Sequence, residues 1–543
     1  MTRPPEAERR LIQGRSLRWD ETRTKAAYAA GLWVNETLAD ALDRAAADTP
    51  DRVLIVDGAV TLTAEALRTR AIQLASALLK RAAPGSVVSF MLPNWHEAVV
   101  IYLASTYAGM VAHPILPSLR DNELRFMLHD VESRFVFIPS TWRNEDYAAM
   151  LGRVKSELHA PPEIVVLRGP PGEHTAYASM LEQDSAASPK LDPDSVRMIL
   201  YTSGTTGTPK GVMHSHNSIH ALVRQIGQHW QVASGDAFLV ASPISHIGGS
   251  IYAFEAPLLL GCSAVLMERW DADAAVALAL QVRFTHMAGA TPFLEQLLDA
   301  ARRADTHLPD LKVFICGGAS VPPSLIRNAA AHFDGAIVSR VYGSTEVPVT
   351  TVGTMDRADL AHAADTDGAP GLADVRIVDA DGADAGEGEI RAMGPQMLVG
   401  YLHSEDEPAA FDENGYYRTG DIGRLVDGKF LVISGRAKDI IIRNGENISP
   451  KEVEDILADH PDIAEVAIVG MPDPNTGERA CAVIVPKLLP GPDVAALRAH
   501  LSALGVAKFK FPEDVLIVDA LPKNDAGKVL KHRIRAMLAR TEG

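Results

Sequence analysis

The chain has 543 residues, 47% of them hydrophobic and 22% charged, a globular balance in a chain too long for one core, so two or more domains are expected. Its formal net charge of −17 disfavours nucleic acid or an anionic membrane as the main partner, and requires any site for a polyanion to be locally basic. Three scattered cysteines (Cys262, Cys316 and Cys481), a first stretch 1–13 without an apolar core and no unbroken run of membrane-span length read as a cytoplasmic protein with reduced thiols and no membrane partner.

Residues up to about Lys25 read as a polar arm. Strand-like and helix-like segments then alternate: a strand at 53–56, a helix at 64–79, a strand at 86–92, a helix at 96–108 and a short strand at 112–115. This alternation predicts doubly wound, mostly parallel sheets covered by helices, an α/β fold. Residues 140–195 are richer in Pro, Ser and charge, with a surface-loop signal at Gly169-Pro170-Pro171-Gly172. From 368 to 433, short alternating segments broken by Asp-Gly, Glu-Gly and Asn-Gly turns suggest a small antiparallel barrel. The tail reads as a compact α+β unit, with helices at 451–458 and 494–504 and strands at 465–469 and 481–485.

One stretch is chemically loaded: Tyr201-Thr202-Ser203-Gly204-Thr205-Thr206-Gly207-Thr208-Pro209-Lys210-Gly211. Small residues, hydroxyls and a terminal lysine after the apolar Met198-Ile199-Leu200 can offer N–H groups, O–H groups and one cation to a polyphosphate at a strand end. A Walker A loop is excluded, because Pro209 precedes Lys210 and Gly211 follows it. Val341-Tyr342-Gly343-Ser344-Thr345-Glu346 follows another apolar run; Tyr342 can stack on a purine, Thr345 can bond an α-phosphate and Glu346 can hold Mg²⁺. Ile315-Cys316-Gly317-Gly318-Ala319 reads as a strand ending in glycines that let a flat ring approach the backbone. Tyr417-Arg418-Thr419-Gly420-Asp421 presents a carboxylate suited to a ribose diol, and Ser434-Gly435-Arg436-Ala437-Lys438-Asp439 follows. Leu521-Pro522-Lys523-Asn524-Asp525-Ala526-Gly527-Lys528 ends the series; Lys508, Lys510 and Lys523 read as surface charge.

These blocks, in this order from Thr202 to Lys528, resemble the adenylate-forming superfamily: acyl-CoA synthetases, aryl-CoA ligases, luciferases and the adenylation domains of peptide synthetases. The pattern is similar in particular to alicyclic-acid ligases of the cyclohexanecarboxylate type. The resemblance implies a large AMP-binding domain over 1–437, with the barrel inside it, and a small mobile α+β domain over 438–543. It implies ATP, Mg²⁺ and CoA as cofactor and co-substrates, a carboxylic acid as substrate, and a monomer or homodimer. Thr202, Ser203, Gly204, Thr205, Thr206, Gly207, Thr208 and Lys210 would then cradle the phosphates. Gly317, Gly318 and Ala319 would wall the adenine, Tyr342, Gly343, Ser344 and Thr345 would floor the nucleotide, and Glu346 with Thr206 would hold the metal. Asp421 and Arg436 would take the ribose, with Ile433 beside the nucleotide. Lys528 would reach the carboxylate and α-phosphate as the catalytic cation.

The same resemblance places the acid pocket at His246, Ile247, Gly248 and Gly249, with Gly317, Tyr342 and Gly343. His246 would also gate a CoA tunnel lined by Gly445 and Glu446. Lys438 falls at the family's hinge position, where many relatives carry Asp and some Lys. At Ile247, amino-acid-activating relatives carry Asp and ortho-hydroxybenzoate relatives Asn; an apolar side chain there offers no partner to a buried ammonium, which disfavours amino acids. Gly248, Gly249, Gly317 and Ala319 leave room for a bulky apolar body: an alicyclic, aryl or arylalkanoic acid, with a medium-chain fatty acid as the rival. A stand-alone enzyme loading a carrier protein, a luciferase-like oxidative fate and a non-catalytic acyl-adenylate-binding homologue are the alternatives. Glu346 and Lys528 together argue against the last.

Overall fold

The computed structural model describes residues 8–182, 189–203, 209–318, 320–444, 446–524 and 527–541. They form two compact units: Met1–Ala288 with Ser344–Pro348 and Met393–Tyr416, and Gly289–Gly343 with Val349–Ala392 and Tyr417–Gly543.

The first unit is built on parallel strands. One sheet runs in the order Thr175–Ala176, Glu163–Leu167, Ser133–Pro139, Val87–Phe90, Val111–Pro114, Val196–Ser203, Pro209–Ser215, parallel until its last, antiparallel pair. A second set places His286–Gly289, Ala237–Val240, Ser263–Leu266 and Val53–Asp57 side by side in parallel, with Val60–Thr63 turning back antiparallel. The alternation expected over 53–115 is present, and local chemistry accounts for its helices. Thr63 caps Ala64–Leu79, accepting from the Ala66 N–H at 3.3 Å, and Glu65 follows in the first turn. In His96–Tyr107 every residue but His96 is buried, as its Ala-Val-Val-Ile-Tyr-Leu-Ala run requires.

One expectation fails here. The polar arm is a β-hairpin, Arg9–Ile12 against Arg15–Arg18, followed by the helix Glu21–Ala29. Ile12, Leu17 and Trp19 pack into a core with Val87, Val111 and Val399, and the Arg18 N–H donates to the Val399 carbonyl at 2.8 Å. Arginines alternate with those few apolar residues and mask the two-residue period. Residues 140–195, richer in Pro, Ser and charge, contain the helix Tyr147–Glu157 and the strand Glu163–Leu167, whose buried faces join Val136 and Ile138 in one cluster through Leu151 and Ile164. The turn at Gly169 is real: its φ is +155°, and a Cβ there would lie 2.6 Å from Ser140 Cβ.

The second unit pairs Val313–Gly317 with Ile337–Val341 in parallel. Its antiparallel sheet takes the order Asp374–Val378, Glu387–Met393, Tyr417–Val426, Phe430–Arg436. The antiparallel character matches the sequence pattern; the strand order is that of an open sheet. The C-terminal α+β part orders Glu446–Ile448, Ile441–Arg443, Gly477–Pro486 and Ile463–Asp473, with Asp514–Ile517 parallel to Gly477–Pro486. Helices Pro450–Leu457, Val494–Ala503 and Lys531–Thr541 accompany it. Ser449 caps the first of these, with Pro450 at its opening position. The three cysteines are buried and none is in a disulfide. Among the described residues no helix is long and apolar enough to cross a membrane.

The first unit carries an acid-sensitive feature. Burial pushes His113 down to about 3 and His220 to about 4. His216 is lowered well below its ordinary value by burial, then by Arg197 and His220. Unfolding returns each to about 6.5. Between pH 6.5 and 4 the unfolded chain therefore binds more protons, and stability falls as pH falls. With His214, which burial likewise pushes down to about 4, four such groups give a slope of about 5 kcal/mol per pH unit near pH 5. Urea midpoints taken from pH 7 to 4.5 should fall accordingly, and His113→Asn should reduce the slope by about a quarter. An unchanged slope in that variant would show that His113 is not titrating on unfolding.

Candidate active site

The strand Val196–Ser203 delivers Thr202 and Ser203 to the end of the first sheet, where its antiparallel neighbour Pro209–Ser215 returns. Gly204, Thr205, Thr206, Gly207 and Thr208 lie outside the described residues, as do Ala319 and Gly445. Gly211 is needed for packing: a Cβ there would sit 3.0 Å from Leu402 Cβ. The segment around 399–402 runs alongside this strand, bridging Tyr401 to Val212, with the Leu402 N–H on the Gly211 carbonyl at 2.8 Å. Lys210 is engaged there too. Its Nζ is 3.0 Å from an Asp406 carboxylate oxygen and 5.4 Å from the centre of the Tyr401 ring.

Glu346 lies at the middle of this arrangement. It is 7% exposed, and its Oε1 accepts from the Tyr401 O–H at 3.1 Å and from the Thr202 O–H at 3.4 Å. Its carbonyl accepts from the Leu398 N–H at 2.7 Å. Among the described residues it makes no ion pair. A nearly buried carboxylate that meets only neutral hydroxyls is the donor a hard divalent cation takes, so Glu346 fits Mg²⁺. Next to it, His214 Nε2 is 2.7 Å from the Thr345 carbonyl oxygen. Burial pushes His214 down to about 4, against the opposing pull of that carbonyl, so the ring is neutral at pH 7 and must present its Nε2–H to Thr345. Ser344 Oγ accepts from the Val347 N–H at 3.1 Å. Sequence reasoning missed Tyr401 and His214, which hold the Glu346 carboxylate and the Thr345 carbonyl.

In the same unit, His246 precedes the short helix Ile247–Ser250, its carbonyl accepting the Gly249 and Ser250 N–H groups at 2.9 Å each. His246 and Ile247 are half-buried and Gly248 is exposed. The glycines expected to open the acid pocket behave differently from one another. A Cβ on Gly248 meets nothing within 4 Å, but one on Gly249 would lie 2.2 Å from the Pro243 carbonyl oxygen. In the second unit a Cβ on Gly317 would lie 2.7 Å from the Val341 carbonyl oxygen, whereas Gly318, at φ +83°, has open space. Gly249 and Gly317 are therefore glycines because backbone already fills the place of a side chain, and they add no room.

The second unit gathers the remaining groups. Tyr342 donates its O–H to Asp421 Oδ2 at 2.6 Å, and its N–H goes to Thr351 Oγ1 at 2.7 Å. Burial, then Asp421, raise the Tyr342 phenol well above its ordinary value. Asp421 and Arg436 face each other across adjacent antiparallel strands, with Arg436 Nε 3.0 Å from Asp421 Oδ1. Each carboxylate oxygen thus has one acceptor position left for a diol. The Ile433 N–H is held by Asp367 at 2.9 Å, and Asp367 is in turn paired with Arg340 at 2.6 Å. Gly343 is exposed.

Lys528 sits in a turn closed by Asn524, whose Oδ1 accepts the Lys528 N–H at 2.8 Å and whose own N–H goes to the Lys528 carbonyl at 2.9 Å. A Cβ on Gly527 would lie 3.3 Å from Pro292. The Lys528 ammonium is pushed down to about 8, by burial first and by Arg436 next, with Asp421 pulling the other way. Lys528 is therefore in the field of the Asp421–Arg436 pair. Lys438 is exposed in the short turn Ala437–Asp439, beside Asp439, which Arg535 binds at 2.9 Å. Glu446 is exposed, and is paired in register with Arg443. Lys510 and Lys523 are ion-paired with Glu452 and Glu465, at 2.6 Å and 2.7 Å.

In the first unit, a parallel α/β scaffold with the strand-end Thr202 hydroxyl on a metal-type carboxylate, and in the second, a lysine near a carboxylate–guanidinium pair, are each features of a nucleotide-using enzyme class. The sequence profile of the AMP-binding enzymes matches residues 42–402, and that of their C-terminal domain matches residues 452–528. The chain is 34% identical to a medium-chain fatty-acid–CoA ligase of Escherichia coli, over 97% of this chain and 94% of that one. It is 32% identical to an indoleacetate–CoA ligase of Aromatoleum aromaticum, over 86% of this chain and 91% of that one. The solved structure of ATP-bound MatB from Rhodopseudomonas palustris superposes with a TM-score of 0.81 at 28% identity, covering 92% of this chain and 98% of that one. The chain belongs to the AMP-binding enzymes, as an ATP-dependent, AMP-forming acid–CoA ligase.

Proposed function

We propose that this ligase activates an apolar carboxylic acid without an α-amine, of alicyclic, aryl or arylalkanoic type, and passes the acyl group to CoA. The observation that carries the ATP half of this reading is Lys528 lying in the field of Asp421 and Arg436 within one unit. Asp421 and Arg436 would hold the ribose, Thr202 and the hydroxyl loop the phosphates, and Tyr342 the base. Lys528 would offset the charge that builds as the acid's carboxylate oxygen attacks the α-phosphorus and pyrophosphate leaves. Mg²⁺, held by Glu346 together with Thr206, would supply charge neutralisation on the phosphates. His246 would gate the passage from CoA to acid, with Glu446 and Gly445 along that passage and Lys438 as the hinge between residues 1–437 and 438–543.

Ile247 and the open side of Gly248 support an apolar acid. The 34% identity to a medium-chain fatty-acid–CoA ligase favours the second reading, a linear acid in the same pocket. The test is a panel of cyclohexanecarboxylate, arylacetates, arylpropionates, octanoate and amino acids, supplied with ATP, Mg²⁺ and CoA. Expected products are AMP, pyrophosphate and a ring-bearing acyl-CoA thioester. ADP and orthophosphate as stoichiometric products would overturn the ATP chemistry. Turnover of an amino acid equal to that of cyclohexanecarboxylate would overturn the acid class, and fastest turnover of octanoate would select the linear reading. Acyl-AMP formed without transfer to CoA would point to a carrier protein.

A further inference from the structure

The stretch that carries His246, Ile247 and Gly248 is anchored at its near end by Asn94, just ahead of the buried helix His96–Tyr107, and at its far end by Tyr102 of that helix. At the near end stands Asn94, 4% exposed and two residues ahead of His96–Tyr107. Its Nδ2 donates to the Val240 carbonyl at 3.1 Å and to the Ser242 carbonyl at 3.0 Å, and its Oδ1 accepts from the Ile244 N–H at 3.1 Å. A carboxamide carries both donors and an acceptor on one planar head, and here all three functions are used on a single five-residue path. That path leads directly into Ser245 and His246. At the far end, the π-helical turn Ile251–Glu255 closes on Glu255, 3% exposed. Glu255 accepts from the Tyr102 O–H at 2.6 Å and from Arg197 Nε at 2.8 Å. Tyr102 stands on the helix that Asn94 introduces, and Arg197 on the strand that ends in Thr202 and Ser203. Between these anchors the backbone bonds are local: the His246 N–H donates to the Pro243 carbonyl at 3.0 Å, and the Gly249 and Ser250 N–H groups to the His246 carbonyl at 2.9 Å each.

We propose that Asn94 is a positioning residue that sets the backbone path presenting His246 and Ile247 to the carboxylic acid. The proposal rests on the acid-pocket reading of those two residues. Among the described residues the Asn94 side chain bonds Val240, Ser242 and Ile244 and none of the ATP groups, so its loss should act on the acid. In Asn94→Ala the two carbonyls and the Ile244 N–H lose their buried partners, and the turn relaxes. In Asn94→Asp the volume and the acceptor remain, but an oxygen faces two carbonyl oxygens.

The experiment measures KM for the acid and for ATP, from pyrophosphate release, in the wild type, Asn94→Ala and Asn94→Asp. Displacement of a pocket by about 1 Å costs on the order of 10² in rate, so the acid KM should rise about 10- to 100-fold while the ATP KM stays within about twofold. Ser89→Ala is the control for loss of a buried hydrogen bond elsewhere, since Ser89 bonds His113 and Ser133 at 2.9 and 2.7 Å, away from this turn; it should move neither constant. Equal rises in both constants, or no rise in a folded variant, would overturn the proposal. Asn94→Asp carries the same readout if the alanine variant is not recovered folded. Amide exchange over residues 240–250 is scored separately. It should quicken in the Asn94 variants and not in Ser89→Ala, and unchanged exchange also overturns the proposal. A wild type that releases no pyrophosphate with any acid, with the exchange result intact, would sink the functional reading and leave the anchor standing.

Discussion

Lys528→Ala is expected to lose acyl-adenylate formation by a factor on the order of 10² or more, while keeping much of its rate of thioester formation from supplied acyl-AMP. The first half follows from place and charge. Lys528 lies in the field of Asp421 and Arg436, where burial and the guanidinium already make its ammonium easier to deprotonate, at about 8. A cation in a partly desolvated site stabilises developing phosphate charge more than one in water. The second half follows from Glu446, which is exposed in the same C-terminal part and far in sequence from Lys528. If Glu446 and its neighbour line the CoA passage, one orientation cannot serve both steps, and a rotation about Lys438 would exchange them. The Ser320–Asp455 and Ser324–Asp459 hydrogen bonds, at 2.6 and 2.5 Å, would break in that exchange. Lys438→Pro, which fixes φ, should spare one half-reaction and damage the other. The pH dependence has a definite sign. The charged form of Lys528 is lost in the free enzyme as pH rises through about 8, so kcat/KM for ATP should fall above pH 8. Bound phosphate favours the ammonium, so kcat should hold to higher pH. Pre-steady-state acyl-AMP formation beside CoA consumption from supplied acyl-AMP measures both. Equal losses in the two steps would mean a static site.

The sequence exposed what repeats locally and hid what is held from a distance. The strand–helix alternation over 53–115 was legible because the strands there are short, largely apolar runs and the helix Ala64–Leu79 spaces its buried Leu and Ala at helical intervals behind a clean cap at Thr63. The hairpin at Arg9–Arg18 was not, because Leu17 and Ile12 are buried by Val399, a residue nearly 400 positions away. The ATP motifs were legible as strings of small and polar residues. The residues that brace them were not. Tyr401, His214 and Asn94 reach Glu346, Thr345 and the Ser242–Ile244 turn from 55, 131 and 150 or so positions away, and none stands in a patterned string. Glycines misled for a physical reason: a missing side chain signals either open space or a backbone already in it, and only coordinates separate Gly248 from Gly249. Lys210, which the sequence offers to a polyphosphate, is paired with Asp406, a partner no local pattern announces.

Glu346→Gln should lower adenylation by on the order of 10² and weaken the dependence on Mg²⁺. The substitution separates charge from shape. The amide oxygen can still accept from the Tyr401 O–H and the Thr202 O–H, so the bonds at 3.1 and 3.4 Å survive and the segment keeps its path. What goes is the negative charge, and with it the hard anionic oxygen a divalent cation prefers. Tyr401→Phe makes the opposite change: the carboxylate keeps its charge and loses one orienting donor. Its effect should be smaller, about tenfold, as is usual when a partner that orients a metal ligand is removed. The two variants, titrated with Mg²⁺ at fixed ATP, should therefore differ in kind. Glu346→Gln should need far more Mg²⁺ to reach a much reduced rate, and Tyr401→Phe should approach the wild-type rate at high Mg²⁺. A Glu346→Gln enzyme with an unchanged Mg²⁺ midpoint would remove Glu346 from the metal site and leave it as a brace between Thr202 and Tyr401.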